Sequence, residues 1–68
     1  MSRKRFHVGQ LVYMTPKALQ QGLQGRAKKP TGLVWRVEPD QPLSVWVQRS
    51  GLKGIDNYHV DFWQENTP

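Results

Sequence analysis

Thr31-Gly32-Leu33-Val34-Trp35-Arg36-Val37-Glu38 is followed by Pro39-Asp40-Gln41-Pro42 and then by Leu43-Ser44-Val45-Trp46-Val47-Gln48. Two runs of sheet formers thus flank four turn formers. β-branched and aromatic side chains suit the pleated, half-buried surface of a strand. Proline and aspartate between such runs make the connection of a hairpin. In the second run Leu43, Val45 and Val47 alternate with Ser44, Trp46 and Gln48, so one face is apolar and Trp46 lies on the other. In the first run Arg36 must face solvent or a partner. Trp35 interrupts the pattern there, as a bulge or as a functional surface aromatic.

Upstream, Val8, Val12 and Met14 lie at even spacing with Leu11 and Tyr13 opposite, which predicts a strand of about seven residues introduced by Gly9. Pro16 ends it, since proline cannot donate to a ladder. Thr15 then suits an N-cap, Pro16 the first helical position and Gly22 the exit, which predicts a helix of one or two turns. Leu19 and Leu23, four apart, are expected to pin that helix to the rest. Residues 22–30 read as a long loop. Downstream, Arg49-Ser50-Gly51 opens a turn, a short strand is expected around Leu52, and Asp56-Asn57-Tyr58 reads as a tight or 3₁₀ turn. A last strand runs from His59 to Trp63, with Tyr58, Val60 and Phe62 on one face and His59, Asp61 and Trp63 on the other. The chain shows no internal repeat.

Sixty-eight residues allow one domain. Its bounds are residues 6–63, with a basic flexible tail at 1–5 and a frayed C-terminus at 64–68. A chain this short buries only about 60% of its unfolded surface, so its core is thin. With no cysteine there is neither a disulfide nor a thiolate metal cage to compensate. There is no room for a cofactor fold plus a substrate pocket, which excludes the large dehydrogenase, kinase and hydrolase classes, and no cofactor is expected. No run of about 18 apolar residues occurs, and no apolar segment follows the basic start, so no membrane partner and a cytoplasmic location are expected.

So small a sheet exposes two edges unless it curls and closes, and the expected fold class is therefore an all-β closed barrel of five short strands. Its long first loop carries the short helical turn. The chain resembles SH3-like barrel families: Phe6-His7-Val8-Gly9-Gln10-Leu11-Val12 is similar to their opening strand. Gly32-Leu33-Val34-Trp35-Arg36-Val37-Glu38 is similar to the second strand, after the long loop, and to the KOW motif of ribosomal and transcription proteins. The expected core is Val8, Val12, Val34, Val37, Val45, Val47, Val60 and Phe62, with Leu11 and Leu52 closing its ends.

Ten Lys and Arg against five Asp and Glu give a net charge of +5. The cations form two clusters, Arg3-Lys4-Arg5 in the tail and Arg26, Lys28 and Lys29 in the long loop. Either they solubilise the chain or they converge on a polyanion, whose phosphates make binding salt-sensitive. Three tryptophans are hard to hide in so thin a core. Either the tryptophans cover the open core ends, or Trp46, Trp63 and Tyr13 point outward beside Arg36 and Arg49 as a surface that docks a protein or stacks bases. The binding residues expected from sequence are therefore Arg3, Lys4, Arg5, Arg26, Lys28, Lys29, Trp35, Arg36, Trp46 and Arg49. The expected partner is RNA or DNA, with a larger protein complex as the alternative; oligomeric state is left open. His59 and Asp61 share a strand face, but no nucleophile or pocket accompanies them, so the chain is read as non-enzymatic. His7, His59 and Asp61 would gather three metal ligands only if the first and last strands met, and no metal is expected.

Overall fold

The computed structural model describes residues 6–65. Five strands run in chain order: β1 (Leu11–Met14), β2 (Thr31–Arg36), β3 (Ser44–Arg49), β4 (Ile55–His59) and β5 (Trp63–Glu65). A short helix, α1 (Pro16–Gln20), follows β1, and a 3₁₀ turn at Val60–Phe62 joins β4 to β5. All pairings are antiparallel, in the order β4-β3-β2-β1-β5. β4 and β5 are therefore the two edges of an open sheet. The closed SH3-like barrel, and with it the KOW-like reading, is corrected here: no ladder joins β4 to β5. What lies between them is an aromatic contact, Tyr58 edge-on to Trp63 with ring centroids 5.5 Å apart and planes at 74°.

The central hairpin forms as its residues predict, with Val34 opposite Val47. The register then slips between Val34 and Arg36, so that Arg36 faces Trp46 and Trp35 is the extra residue of a bulge. Both Trp35 and Arg36 are exposed.

β1 is shorter than the alternation predicts. Gln10 N–H donates to His7 O at 3.0 Å, His7 N–H to Gln10 Oε1 at 2.9 Å, and Gly9 sits at φ +88°. That turn spends Val8 at its tip, 68% exposed, and starts the strand only at Leu11.

Thr15 caps α1 by accepting from Ala18 N–H at 3.3 Å, and Pro16 opens it. The exit uses Gly22 at φ +76°, with Gly22 N–H donating to Leu19 O and Leu23 N–H to Ala18 O. Leu19, expected to anchor the helix, faces solvent, and Ala18 is the buried residue. A methyl side chain lets so short a helix lie close to the 3₁₀ turn. Thr15 holds the two together, its N–H donating to Phe62 O at 3.0 Å and its Oγ1–H to Asp61 O at 2.9 Å.

Residues 55–65 depart most from the alternation. Ile55–His59 is a strand where a turn is expected at residues 56–58, and the 3₁₀ turn comes four residues later, at Val60–Phe62, inside the strand expected from His59 to Trp63. His59 caps it, Nδ1 accepting Asp61 N–H at 3.0 Å. With three residues per turn, Val60 and Trp63 fall on one side, and both are buried. Trp63 is thus turned from the outer face, where strict alternation puts it, to the centre of the core. Gln64 and Glu65 continue as strand, opposite Tyr13 and Val12.

The core is Phe6, Val12, Met14, Ala18, Val34, Val45, Val47, Val60 and Trp63, with Leu23, Tyr58 and Phe62 packed against it. Val37 and Leu11 join Val8 as expected core or end residues that face solvent. Gly32 is part of the packing: a Cβ there would lie 3.1 Å from two Trp63 ring carbons and closer still to Val47 Cγ1.

Candidate functional site

The face of the sheet turned away from the core carries a row set by register: Leu11 opposite Leu33, Leu33 opposite Gln48, Gln48 opposite Ile55. Leu11, Leu33 and Ile55 are exposed along it. Tyr13 stands on one side of this row and Trp35 on the other, 42% and 49% exposed. Tyr13 is opposite Thr31, four residues from Trp35 along β2, so their backbone positions stand about 14 Å apart at strand rise and spacing, and the Trp35 indole leans back from its own toward Gln48. Two exposed aromatic side chains thus flank the aliphatic row.

Gln48 lies between them, held at both ends of its amide. Trp35 Nε1–H donates to Oε1 at 2.8 Å, and Nε2–H donates to Leu52 O at 2.9 Å. Beside it, Leu11, Leu33, Gln48, Leu52 and Lys53 line a cleft of about 350 Å³.

The cations assemble at the end of the sheet where β2 starts and β3 finishes. Lys28 N–H donates to Ser50 O at 3.1 Å, which clasps the long loop to the β3–β4 turn. The Lys28 stem runs over Gly51, where a Cβ would meet its Cγ at 3.0 Å; Gly51 itself is at φ +80°. Arg26, Lys28, Lys29, Arg49 and Lys53 are thereby brought to one end, and neither 26–29 nor 49–53 contains a carboxylate. Glu38 and Asp40 lie beyond the other end of β2.

The residues singled out from sequence are thus placed differently from one another. Arg26, Lys28 and Lys29 are exposed in the clasped loop. Arg49 is committed, Nη1 donating to Leu23 O at 2.6 Å. Arg36 pairs with Glu38, Nε to Oε1 at 3.1 Å, with its side chain 69% exposed, so the pair holds it only weakly. Trp46 is half-buried, and its Nε1 is shielded with no hydrogen-bond partner among the described residues. Arg3, Lys4 and Arg5 lie outside the described residues. Lys53 and Gln48 are the site residues that the sequence does not single out, whereas Tyr13 is exposed on the face where the alternation puts it.

Tyr58, opposite Val45, turns its hydroxyl back along β4 to Asp56. Burial pushes its phenol above the ordinary value of 10; Arg49 draws it down in part, and the Asp56 carboxylate raises it by charge and by the 3.4 Å hydrogen bond to Oδ2. His59 Nδ1 is also 3.5 Å from Asp61 Oδ2. A lone pair that accepts the Asp61 N–H cannot also donate to that carboxylate, and the shorter backbone bond decides: the pair caps a turn. Among the described residues no three His, Cys, Asp or Glu side chains group to hold a metal ion. No helix among them is long and apolar enough to cross a membrane.

Comparison with family models, with curated proteins and with solved structures returned no match.

Proposed function

We propose that this chain binds nucleic acid without catalysing a reaction, holding phosphates at the cationic end of the sheet and bases on the outer face. The observation that carries the reading is the clasp between the long loop and the β3–β4 turn. It gathers Arg26, Lys28, Lys29 and Lys53 with no carboxylate in either segment, next to a face that exposes Tyr13 and Trp35. Flat rings stack on any base, and cations at the edge track the backbone. Exposed rings on an open sheet face suit splayed bases of a single strand better than the grooves of a duplex, which admit a helix or ribbon. The cytoplasm, where such strands are met, is the compartment this reading implies.

The test is fluorescence anisotropy with labelled RNA, single-stranded DNA and duplex DNA at low and moderate salt. Neutralising one phosphate on a single strand contributes about −0.7 to the slope of log K against log salt, so the four loop and turn cations account for about −3. Micromolar single-strand binding with that slope, weakened severalfold by Trp35→Ala, is expected. Absence of binding at low salt refutes the reading.

The row Leu11, Leu33 and Ile55 favours a second reading, docking on a larger protein complex, with Trp35 and Arg36 as anchors. Such a contact is nearly indifferent to salt.

A further inference from the structure

We infer that the cleft beside Gln48 takes one unpaired base of a bound single strand and reads it as adenine; this rests on the nucleic-acid reading above. The orientation of the Gln48 amide is not arbitrary. Trp35 Nε1–H can only donate, so the atom it meets is the oxygen, and Leu52 O can only accept, so the other atom is the nitrogen. After those two bonds the amide keeps one N–H and one oxygen lone pair, in an orientation held at both ends. An adjacent donor and acceptor on a glutamine complement the N7 and N6–H₂ of adenine in a bidentate pair.

The surroundings fit the rest of a nucleotide. Leu11, Leu33 and Leu52 offer an apolar floor for a base, at about 350 Å³ the cleft is at the small end of ligand sites, and Lys53 stands on its rim. The Lys28 stem over Gly51 brings a second cation past the same turn. Among the described residues no carboxylate lines the cleft, so charge complementarity selects an anionic occupant over a neutral or cationic one. Trp35 then has two tasks: its ring is exposed for a neighbouring base while its N–H holds the reading amide in place.

The experiment compares labelled eight-nucleotide strands of A, C and U with the full chain by anisotropy. The A strand is expected to bind roughly fivefold tighter, the low end of a bidentate pair in an open site. Gln48→Leu keeps the side chain's bulk, removes the amide and is expected to bring the three strands within twofold, with the salt slope unchanged. Should that variant fail to fold, the side-chain amide signals of Gln48 in the unaltered protein supply a second readout by NMR. They are expected to move on titration with the A strand and to stay in place with the U strand. Equal affinity for the three strands, a preference that survives Gln48→Leu, or an unmoved amide overturns the cleft reading and leaves salt-dependent binding standing. Failure of all three strands to bind at low salt overturns both.

Discussion

Gly32 is where one added carbon tests the packing. Its backbone φ lies outside the left-handed region, so alanine is allowed there, and replacing glycine by alanine at a compatible site stabilises by about 0.4–1 kcal/mol through the unfolded chain. Against this stands the wall the new Cβ meets. Two Trp63 ring carbons lie 3.1 Å away, Val47 Cγ1 is nearer, and both side chains are 0% exposed. Neither neighbour is a flexible tip: valine is stiff at χ1, and the indole is enclosed on the core side. An extra methyl forced into such a core costs about 1–3 kcal/mol. Subtracting the backbone gain leaves a net loss of roughly 1–2 kcal/mol, or a melting temperature lower by about 4–16 °C for a domain of this size. Gly54→Ala is the internal control. Nothing lies within 4 Å of a Cβ there, so only the gain remains and the melting temperature rises by about 2–8 °C. Thermal unfolding followed by circular dichroism, with urea midpoints alongside, reads both. A Gly32→Ala protein as stable as the unaltered one, or as stable as Gly54→Ala, refutes the close approach of Trp63 and Val47 to that strand.

Thr15→Ala removes the cap of α1 and the bond from Oγ1 to Asp61 O; a loss of about 1–2 kcal/mol in urea denaturation is expected, where Thr15→Ser recovers most of it. Ultraviolet titration of the two tyrosines should show Tyr58 ionising above 10, and Asp56→Asn should move it back down while leaving the burial contribution in place. The folded state holds that phenolic proton more tightly than the unfolded chain does. Its contribution to stability is therefore complete below pH 10 and is lost as pH rises from there through the folded-state value; a stability that increases over this range contradicts the assignment. Trp63→Ala empties the centre of the core and should cost about 3–5 kcal/mol, enough to unfold a domain with so narrow a margin.

The central hairpin is legible in sequence because its signals are local: alternation, turn formers and β-branched residues all act within 18 residues. Trp35 is legible as an irregularity for the same reason, since one bulky residue out of step is either an insertion or a surface feature. Other placements depend on what a short segment does out of sight of its neighbours. Val8 leaves the core because Gly9 and the Gln10 side chain make a turn of what alternation reads as strand. Trp63 enters it because one 3₁₀ turn changes the period from two to three just before it. Ala18 is chosen over Leu19 because a single helical turn packs by closeness. The loop cations were identifiable as a cluster, whereas their meeting with Lys53 depends on a backbone bond, Lys28 to Ser50, between segments 22 residues apart. Gln48 carried no signal at all: an amide acquires meaning only from the two groups that fix it.

Closure into a barrel is one remedy for the hazard of unpaired edges, and the structure meets that hazard without it. β5 is three residues long and exposes Gln64 and Glu65, while β4 sets Asp56, Asn57 and His59 toward solvent. Short strands and exposed charge are themselves remedies against edge-to-edge pairing. Across the gap between the edges the Tyr58 and Trp63 rings meet edge-on, with centroids 5.5 Å apart, so the two edge strands share a core contact and no ladder. The 3₁₀ turn that carries Trp63 into this contact takes it off the outer face, which leaves Trp35 and Tyr13, not Trp63, as rings exposed to a partner.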